Sequence, residues 1–402
     1  MQTFDVAVVG GGPAGAAAAV ILARAGRSVV VLDKATFPRD KCCGDGLTTL
    51  ALRLGEQLGL EPSPIDGWQV VDHAVIHTGG GNRSRSRHFP LPEGQGQYAA
   101  VVPRSEYDAA LLDLARTAGA EVREGHAATG IGIDEGGVDL VVAESEPVRA
   151  TTAVAADGMW SPTRRLLGLV DYGYRGEWQA FRQYIGGVGP AAQDLHIWFE
   201  PDLLPGYSWS FPLPGGRANV GFGVLRGGRV AVGDTGRVWD GLLSRPGMRE
   251  VLGPDAEPEG RRTAWPIPAR IDRAVLEHGP VLFVGDAAAA TDALTGEGIG
   301  QALLTGILAA EAVIAGGTAA EIGNRYRREV RRDLLADHRM SVALQRMLAY
   351  PFGARASVAM GGLTPWTRRN FARWLFEDYP RALLATPRRW RRGVLHRPGS
   401  YA

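Results

Sequence analysis

Hydrophobic and polar positions change period several times along the chain, and each change predicts a different element. Phe4–Val9 is a short β-branched run, the mark of a buried strand. Ala14–Ala25 is alanine-rich and helical, and Gly26 ends it. Ser28–Leu32 is a second apolar run that closes at Asp33. Strand, helix and strand in that order predict a βαβ unit and a parallel sheet. Val70–Ile76 alternates, Gly79–Gly81 with Ser84–Arg87 reads as a loop, and Ser105–Ala118 has helical periodicity. Glu121–Arg123, Ile131–Ile133 and Val138–Val142 read as strands of a meander, followed by Ala153–Ala156. Residues 175–230 are rich in aromatic and β-branched residues and predict an antiparallel sheet. Val281–Val284 is another buried strand, Gly298–Ala315 a helix, and from about Asn324 the chain is helical and arginine-rich. The pattern is α/β: a parallel-sheet domain is interrupted by antiparallel material and resumes near residue 280.

Composition narrows the class. The chain has 402 residues, 45% of them hydrophobic, enough for a large core and roughly two domains. A formal charge of +1 argues against a partner made of nucleic-acid phosphates. Only two of the 44 basic residues are lysine, Lys34 and Lys41. The two cysteines, Cys42 and Cys43, are adjacent, which excludes a disulfide scaffold and a four-thiolate metal or iron–sulfur site. A reducing cytoplasm is the natural reading. No apolar run reaches ~18 residues, so no spanning helix is expected, and the N-terminus lacks the pattern of a cleaved leader.

The strongest single motif is Gly10-Gly11-Gly12-Pro13-Ala14-Gly15, a G-x-G-x-x-G between the first strand and helix. Gly10 allows the tight turn, Gly12 lets backbone approach a pyrophosphate, and Gly15 allows close helix–strand packing. The helix N-terminus offers partial positive charge and free N–H groups to phosphates. Asp33, at the end of the second strand, is placed to accept hydrogen bonds from a ribose. A second signal is Val284-Gly285-Asp286-Ala287-Ala288, continuing through Thr291-Asp292-Ala293-Leu294-Thr295-Gly296-Glu297-Gly298-Ile299. Asp286 at a strand end can bind a ribityl or ribose hydroxyl, and Gly296 and Gly298 permit backbone contact at the next helix N-terminus. Taken alone, this stretch is equally an ordinary loop with a helix cap. The third is Ala156-Asp157-Gly158, a turn after a strand, with Ser161-Pro162 starting a helix.

In this order, from residue 10 to residue 299, the three motifs resemble those of FAD-dependent oxidoreductases with a para-hydroxybenzoate-hydroxylase-like fold. The resemblance implies that Gly10, Gly12, Pro13, Ala14, Gly15, Asp33 and Lys34 serve the ADP part of FAD. It puts Asp157 near the pyrophosphate, Gly285 and Asp286 at the ribityl chain, and Gly296, Gly298 and Ile299 beside the flavin. Arg104, in Val102-Pro103-Arg104-Ser105-Glu106-Tyr107-Asp108, matches an arginine that contacts FAD in these enzymes. Pro38-Arg39-Asp40-Lys41-Cys42-Cys43-Gly44-Asp45-Gly46-Leu47-Thr48 is more distinctive. It is similar to the segment that follows the first βαβ unit in the geranylgeranyl reductase family, where a Pro-Arg-x-Lys-x-Cys-Gly pattern runs beside the flavin ring. Cys43 aligns with that family's cysteine, Gly44 follows it, and Cys42 has no counterpart. Tyr207-Ser208-Trp209-Ser210-Phe211-Pro212 is similar to the family's Tyr-x-Trp-x-Phe-Pro segment, and Asn219-Val220-Gly221-Phe222-Gly223 follows. In the family that sheet walls the substrate cavity.

The resemblance implies an α/β protein: a Rossmann-like FAD domain with a parallel sheet over 1–72, 98–165 and 275–345, interleaved with an antiparallel-sheet substrate domain over 73–97 and 166–274, plus a helical C-terminal extension over 346–402. It implies saturation of C=C bonds in a prenyl chain or another apolar natural product. Cys43, Tyr207 and Trp209 are the candidate catalytic residues. Cys43 is open to two readings, a proton donor or polarising contact near the flavin, and a small apolar filler. Tyr207 and Trp209 alternate along a strand and face one side, as cavity wall or as core. No second G-x-G-x-x-G follows a strand, so the reductant is NAD(P)H bound transiently or a protein. The alternative is an aromatic monooxygenase of the same fold, since fold does not decide chemistry. A halogenase is disfavoured, because no lysine follows Lys41. A non-enzymatic flavin-binding role would need the FAD site without a reactive cavity. Residues 364–402 hold nine arginines against two acids, with Trp366, Trp374 and Trp390 among them. Such a segment either lies on an anionic membrane, where a lipid substrate would be met, or caps the substrate domain with its arginines solvated or paired.

Overall fold

The structure, a computed structural model, describes residues 1–80, 84–390 and 393–402. It begins with the strand Gln2–Val9, the helix Pro13–Arg24 and the strand Val29–Asp33. Val6, Val8, Val30 and Val31 are fully buried, so the sheet is covered on both faces, as parallel sheets are. Five strands pair in parallel in the order Glu121–Glu124, Val29–Asp33, Gln2–Val9, Val148–Ala155, Val281–Phe283. Glu277–His278 adds an antiparallel edge, and the hairpin of Ala128–Asp134 and Gly137–Val142 joins through Val148–Ala155. The register sets Val9 beside both Leu32 and Ala155, and Ala155 beside Phe283. The chain therefore leaves this sheet near Asp33, Gly10, Ala156 and Val284 along one carboxyl edge, where open α/β sheets bind ligands.

A second sheet runs in the order Glu257–Ile267, Trp178–Gly186, Arg217–Leu225, Tyr207–Leu213, Leu195–Phe199, His73–Thr78, Arg85–Pro90. A small sheet of Gly46–Leu47, Ala100–Val101 and Gln69–Val70 links the two regions. The helix Ala319–Leu348 starts at a capping box of Thr318 and Glu321. The helices Pro351–Gly361 and Pro365–Leu375 follow and pack on the second sheet, with Val358, Ala372 and Phe376 in its core. Among the described residues, no helix is long and apolar enough to cross a membrane.

Several expectations need correction. Arg85–Pro90, expected to begin as loop, is an edge strand paired with His73–Thr78; its outward polar residues hide the alternation. Gly81 lies outside the described residues. Val70–Ile76 splits at Val71–Asp72 between two sheets. Glu121–Glu124 leaves the meander and pairs in parallel with Val29–Asp33, because the helix Arg104–Thr117 carries the chain across the sheet. Leu195–Phe199 pairs in parallel with His73–Thr78, the one exception to an otherwise antiparallel second sheet. The helices Thr49–Leu58, Thr235–Leu242 and Pro246–Leu252 were not expected from the pattern. The C-terminal segment packs on the second sheet: Arg373 pairs with Asp378 and Arg389 with Asp337, while Arg355, Arg368, Arg369 and Arg388 stay exposed.

Candidate functional site

Along the carboxyl edge of the parallel sheet lies a cleft of about 900 Å³. Gly10, Gly12, Pro13, Ala14, Asp33, Lys34, Cys43, Gly44, Arg104, Asp157, Gly285, Asp286, Gly296, Gly298 and Ile299 all line it. Gly10 sits at φ +106°, and a Cβ there would stand 2.4 Å from the Ala156 carbonyl oxygen. Gly15 lies beneath the cleft rather than in its wall. A Cβ on it would stand 1.9 Å from the Gly10 oxygen, so its absence is what lets helix and turn touch.

Two helices meet the cleft with their N-termini. Pro13–Arg24 has Gly12 at its cap and Ile299–Ile314 has Gly298, neither with a side-chain cap, so first-turn N–H groups remain for a ligand. Asp33 accepts N–H bonds from Gly11 (2.7 Å) and Ala35 (2.8 Å), which fix its carboxylate at the strand end. Asp157 is held by Ser161 Oγ (2.6 Å) and the Thr163 N–H (2.7 Å), which secures the turn and caps the short helix Pro162–Leu166. The buried Arg104 grips Asp108 through Nε (2.7 Å) and Nη2 (2.8 Å). Two uncapped helix ends, a glycine turn and a strand-end carboxylate in one long cleft fit the pyrophosphate, ribose and flavin of FAD.

The segment carrying Cys43 is anchored by residues that motif reading passed over. Asp45 is buried with φ 65°, and its Oδ2 accepts from Tyr184 Oη (2.7 Å) and Asn219 Nδ2 (2.8 Å). Asn219 Nδ2 also donates to the Cys43 carbonyl (2.9 Å), and its Oδ1 accepts from Trp209 Nε1 (3.1 Å). Burial lifts the Asp45 carboxyl to about 6, against hydrogen bonds that pull it down. Burial also pushes the Cys43 thiol up to about 11, so it stays neutral near pH 7 and is no thiolate nucleophile. Lys41 is drawn down to about 8 by burial, and its Nζ lies 3.5 Å over the Trp265 ring. Its rarity was visible in the sequence; its burial was not.

Tyr207 and Trp209 both face the cleft, with ring centroids 5.9 Å apart. The Tyr207 hydroxyl donates to the Thr295 carbonyl, and the Trp209 indole N–H is taken by Asn219. Both residues hold neighbouring segments in place.

Behind them opens a second chamber of about 520 Å³. Its floor is Ile76, Leu195, Ile197 and Phe199 of the second sheet, and its roof comes from Val358, Phe371, Trp374 and Leu383 of the C-terminal segment. Gly46, Tyr207, Phe211, Thr295 and Glu297 line both spaces and form the junction. A cleft of mixed polar and apolar lining that continues into an almost wholly apolar chamber suits a cofactor in one and a greasy substrate in the other.

A family model described as FAD binding domain matches residues 3–204. The menaquinone reductase of Mycolicibacterium smegmatis is 37% identical over 331 residues, covering 78% of this chain and 77% of that protein. Digeranylgeranylglycerophospholipid reductase 2 of Methanopyrus kandleri is 35% identical over 338 residues, covering 80% and 81%. Among solved structures, a geranylgeranyl bacteriochlorophyll reductase-like protein from Thermoplasma acidophilum superposes with a TM-score of 0.79 at 22% identity, covering 97% of this chain and 100% of that one. A flavin-dependent brominase superposes at 0.71 with 20% identity, covering 92% and 98%, a likeness of fold.

Proposed function

Because the chain belongs to the geranylgeranyl reductase family of FAD-dependent oxidoreductases, we propose that it saturates C=C bonds of an isoprenoid chain or another apolar natural product. The observation that carries this is the apolar chamber joined to the cofactor cleft at Tyr207, Phe211 and Glu297. The curated relatives named above are reductases of isoprenoid-bearing lipids.

Reduced FAD supplies a hydride when bound; the chain's own residues do the rest. Gly10, Gly12, Pro13 and Ala14 would take the pyrophosphate at the helix end, with Asp33 and Lys34 at the adenosine side. Arg104 and Asp157 would flank the middle of the cofactor. Gly285 and Asp286 would take the ribityl chain, and Gly296, Gly298 and Ile299 the flavin edge. Cys43 and Gly44 pass the same wall, backed by Trp209 and Phe211; a Cβ on Gly44 would stand 3.3 Å from Phe211. The chamber holds the prenyl chain and excludes water. The reductant is NAD(P)H or a protein donor that docks transiently.

The roof also supports contact with a membrane. Met360 (61% exposed), Trp366 (63%) and Leu384 (87%) stand at the chamber wall and on the surface together. Phe352 and Leu363 are exposed on the same segment, interleaved with the exposed Arg355, Arg368 and Arg369. Apolar side chains between cations suit an anionic bilayer that delivers a lipid.

The test is anaerobic photoreduction of the purified protein, then mixing with prenyl lipids in one arm and with oxygen in another. Flavin reoxidation by the lipid, with a mass gain of two hydrogens, is the expected result. A long-lived hydroperoxide signal with oxygen and no lipid turnover would overturn it in favour of the monooxygenase.

A further inference from the structure

The junction between cleft and chamber holds more carboxyls than its cations can neutralise. Asp292 and Glu297 come from the loop before the helix Ile299–Ile314, and Glu377 comes from the C-terminal segment. Arg381 is the guanidinium among them, 3.8 Å from Asp292 and 3.6 Å from Glu377. Asp292 is well served: its Oδ1 accepts the N–H groups of Leu294 (3.0 Å) and Thr295 (2.8 Å) and the Thr295 hydroxyl (2.9 Å), and its Oδ2 accepts from Ser341 (2.5 Å). Glu377 accepts from Thr48 Oγ1 (3.0 Å) and Gln301 Nε2 (2.8 Å). The Glu297 carboxyl has no hydrogen-bond partner among the described residues. It is half-buried and open to the two cavities, and its Oε1 lies 3.8 Å from where a Cβ on Gly46 would stand.

One guanidinium cannot hold three closely grouped, largely desolvated carboxylates ionised, and the group without donors is the one that keeps its proton. We propose that Glu297 is the catalytic acid, a neutral carboxyl at the cleft–chamber junction that gives its proton to one carbon of the substrate alkene. This rests on the reading of the chain as an alkene reductase. The balance is closed: the C=C π bond breaks, one carbon takes the hydride of reduced FAD, and the other takes the Glu297 proton. FAD is left oxidised, and the carboxylate is re-protonated from water. Burial and the neighbouring Glu377 hold the Glu297 carboxyl at about 8, Arg381 opposing and Asp292 adding to the rise. Cys43 and Tyr207 face the same carboxyl from the N-terminal segment and the second sheet, and the Cys43 thiol is itself held neutral at about 11. A group poised near neutrality and in reach of a ligand is what general-acid catalysis requires.

The experiment compares the wild type with Glu297→Gln and Glu297→Asp, each as FAD-loaded full-length protein. Infrared difference spectra between pH 7.5 and pH 10 should show, beside the tail of Glu377, which burial lifts to about 7, a protonated-carboxyl band that titrates near 8 in the wild type and is missing from Glu297→Gln. Single-turnover reduction of a prenyl lipid should fall by about 100-fold or more in Glu297→Gln and recover in part in Glu297→Asp. The wild-type rate should fall as pH rises through about 8. No such band, or a Glu297→Gln rate within twofold of wild type at unchanged FAD content, overturns the proposal. A wild type that leaves every lipid unreduced while the band is present overturns the parent reading instead.

Discussion

The cleft and the chamber share a junction, yet they are made of different material. The parallel-sheet wall of the cleft is built mostly from backbone: glycine turns, helix N-termini and the ends of paired strands, all drawn to one edge by the register of the sheet. The chamber is built from side chains contributed by distant segments, with a floor near residues 76 and 195–199 and a roof from residues 344–395. Backbone geometry demands particular residues at particular spacings. An apolar wall asks only for volume and lack of charge. Damage to the cleft should therefore be abrupt and specific, and damage to the chamber graded.

The sharpest way to break this contrast is at Gly15. A Cβ there meets the Gly10 carbonyl at 1.9 Å, and neither backbone can yield without moving the strand or the helix. Gly15→Val is expected to cost more than about 3 kcal/mol of stability and to leave the purified protein without bound flavin. Denaturant melts and the visible flavin spectrum check both. Flavin retained at wild-type levels would show the turn to be as tolerant as the chamber. A smaller effect is expected at Ser357, which is half-buried on the roof helix and faces the chamber. Ser357→Phe should keep its flavin and lower kcat/KM on a long prenyl lipid by roughly tenfold or more, with less effect on a short one. Equal loss on both lengths would place the prenyl chain elsewhere.

The same contrast explains what could be read from the sequence. Gly10, Gly12, Asp33, Asp157, Asp286 and Gly298 carried their spacing with them, and all line one cleft. Asp45 sat inside a quoted segment with no role assigned, because its partners Tyr184 and Asn219 are 139 and 174 positions away. Glu297 was equally in view, but its lack of partners becomes visible only once Glu377 and Arg381 fold over it. The parallel pairing of Glu121–Glu124 was missed because a half-exposed, charged strand lacks the apolar run of its neighbours. The C-terminal roof posed the hardest problem. Its arginines look alike in sequence, whereas Arg373 and Arg381 are buried and paired and Arg368 and Arg369 face solvent.

That division within the roof yields the smallest of the expected effects. Phe352 is 81% exposed at the start of the helix Pro351–Gly361 and is absent from the chamber wall, so replacing it separates docking from substrate binding. Phe352→Ser should leave stability and flavin content alone, because the side chain contributes almost nothing to the core. Partitioning onto vesicles with anionic lipid should fall by about threefold to tenfold, less than the roughly tenfold or more of full burial, because a side chain at the bilayer surface leaves water only in part. Added salt should weaken the wild type further by screening Arg355, Arg368 and Arg369 from the lipid charge. Turnover of a short lipid dispersed without vesicles should not change. Flotation of the two proteins with vesicles at low and high salt is the measurement. Equal partitioning at both salts would leave the exposed apolar roof without a membrane role, and the chamber would have to take its substrate from solution.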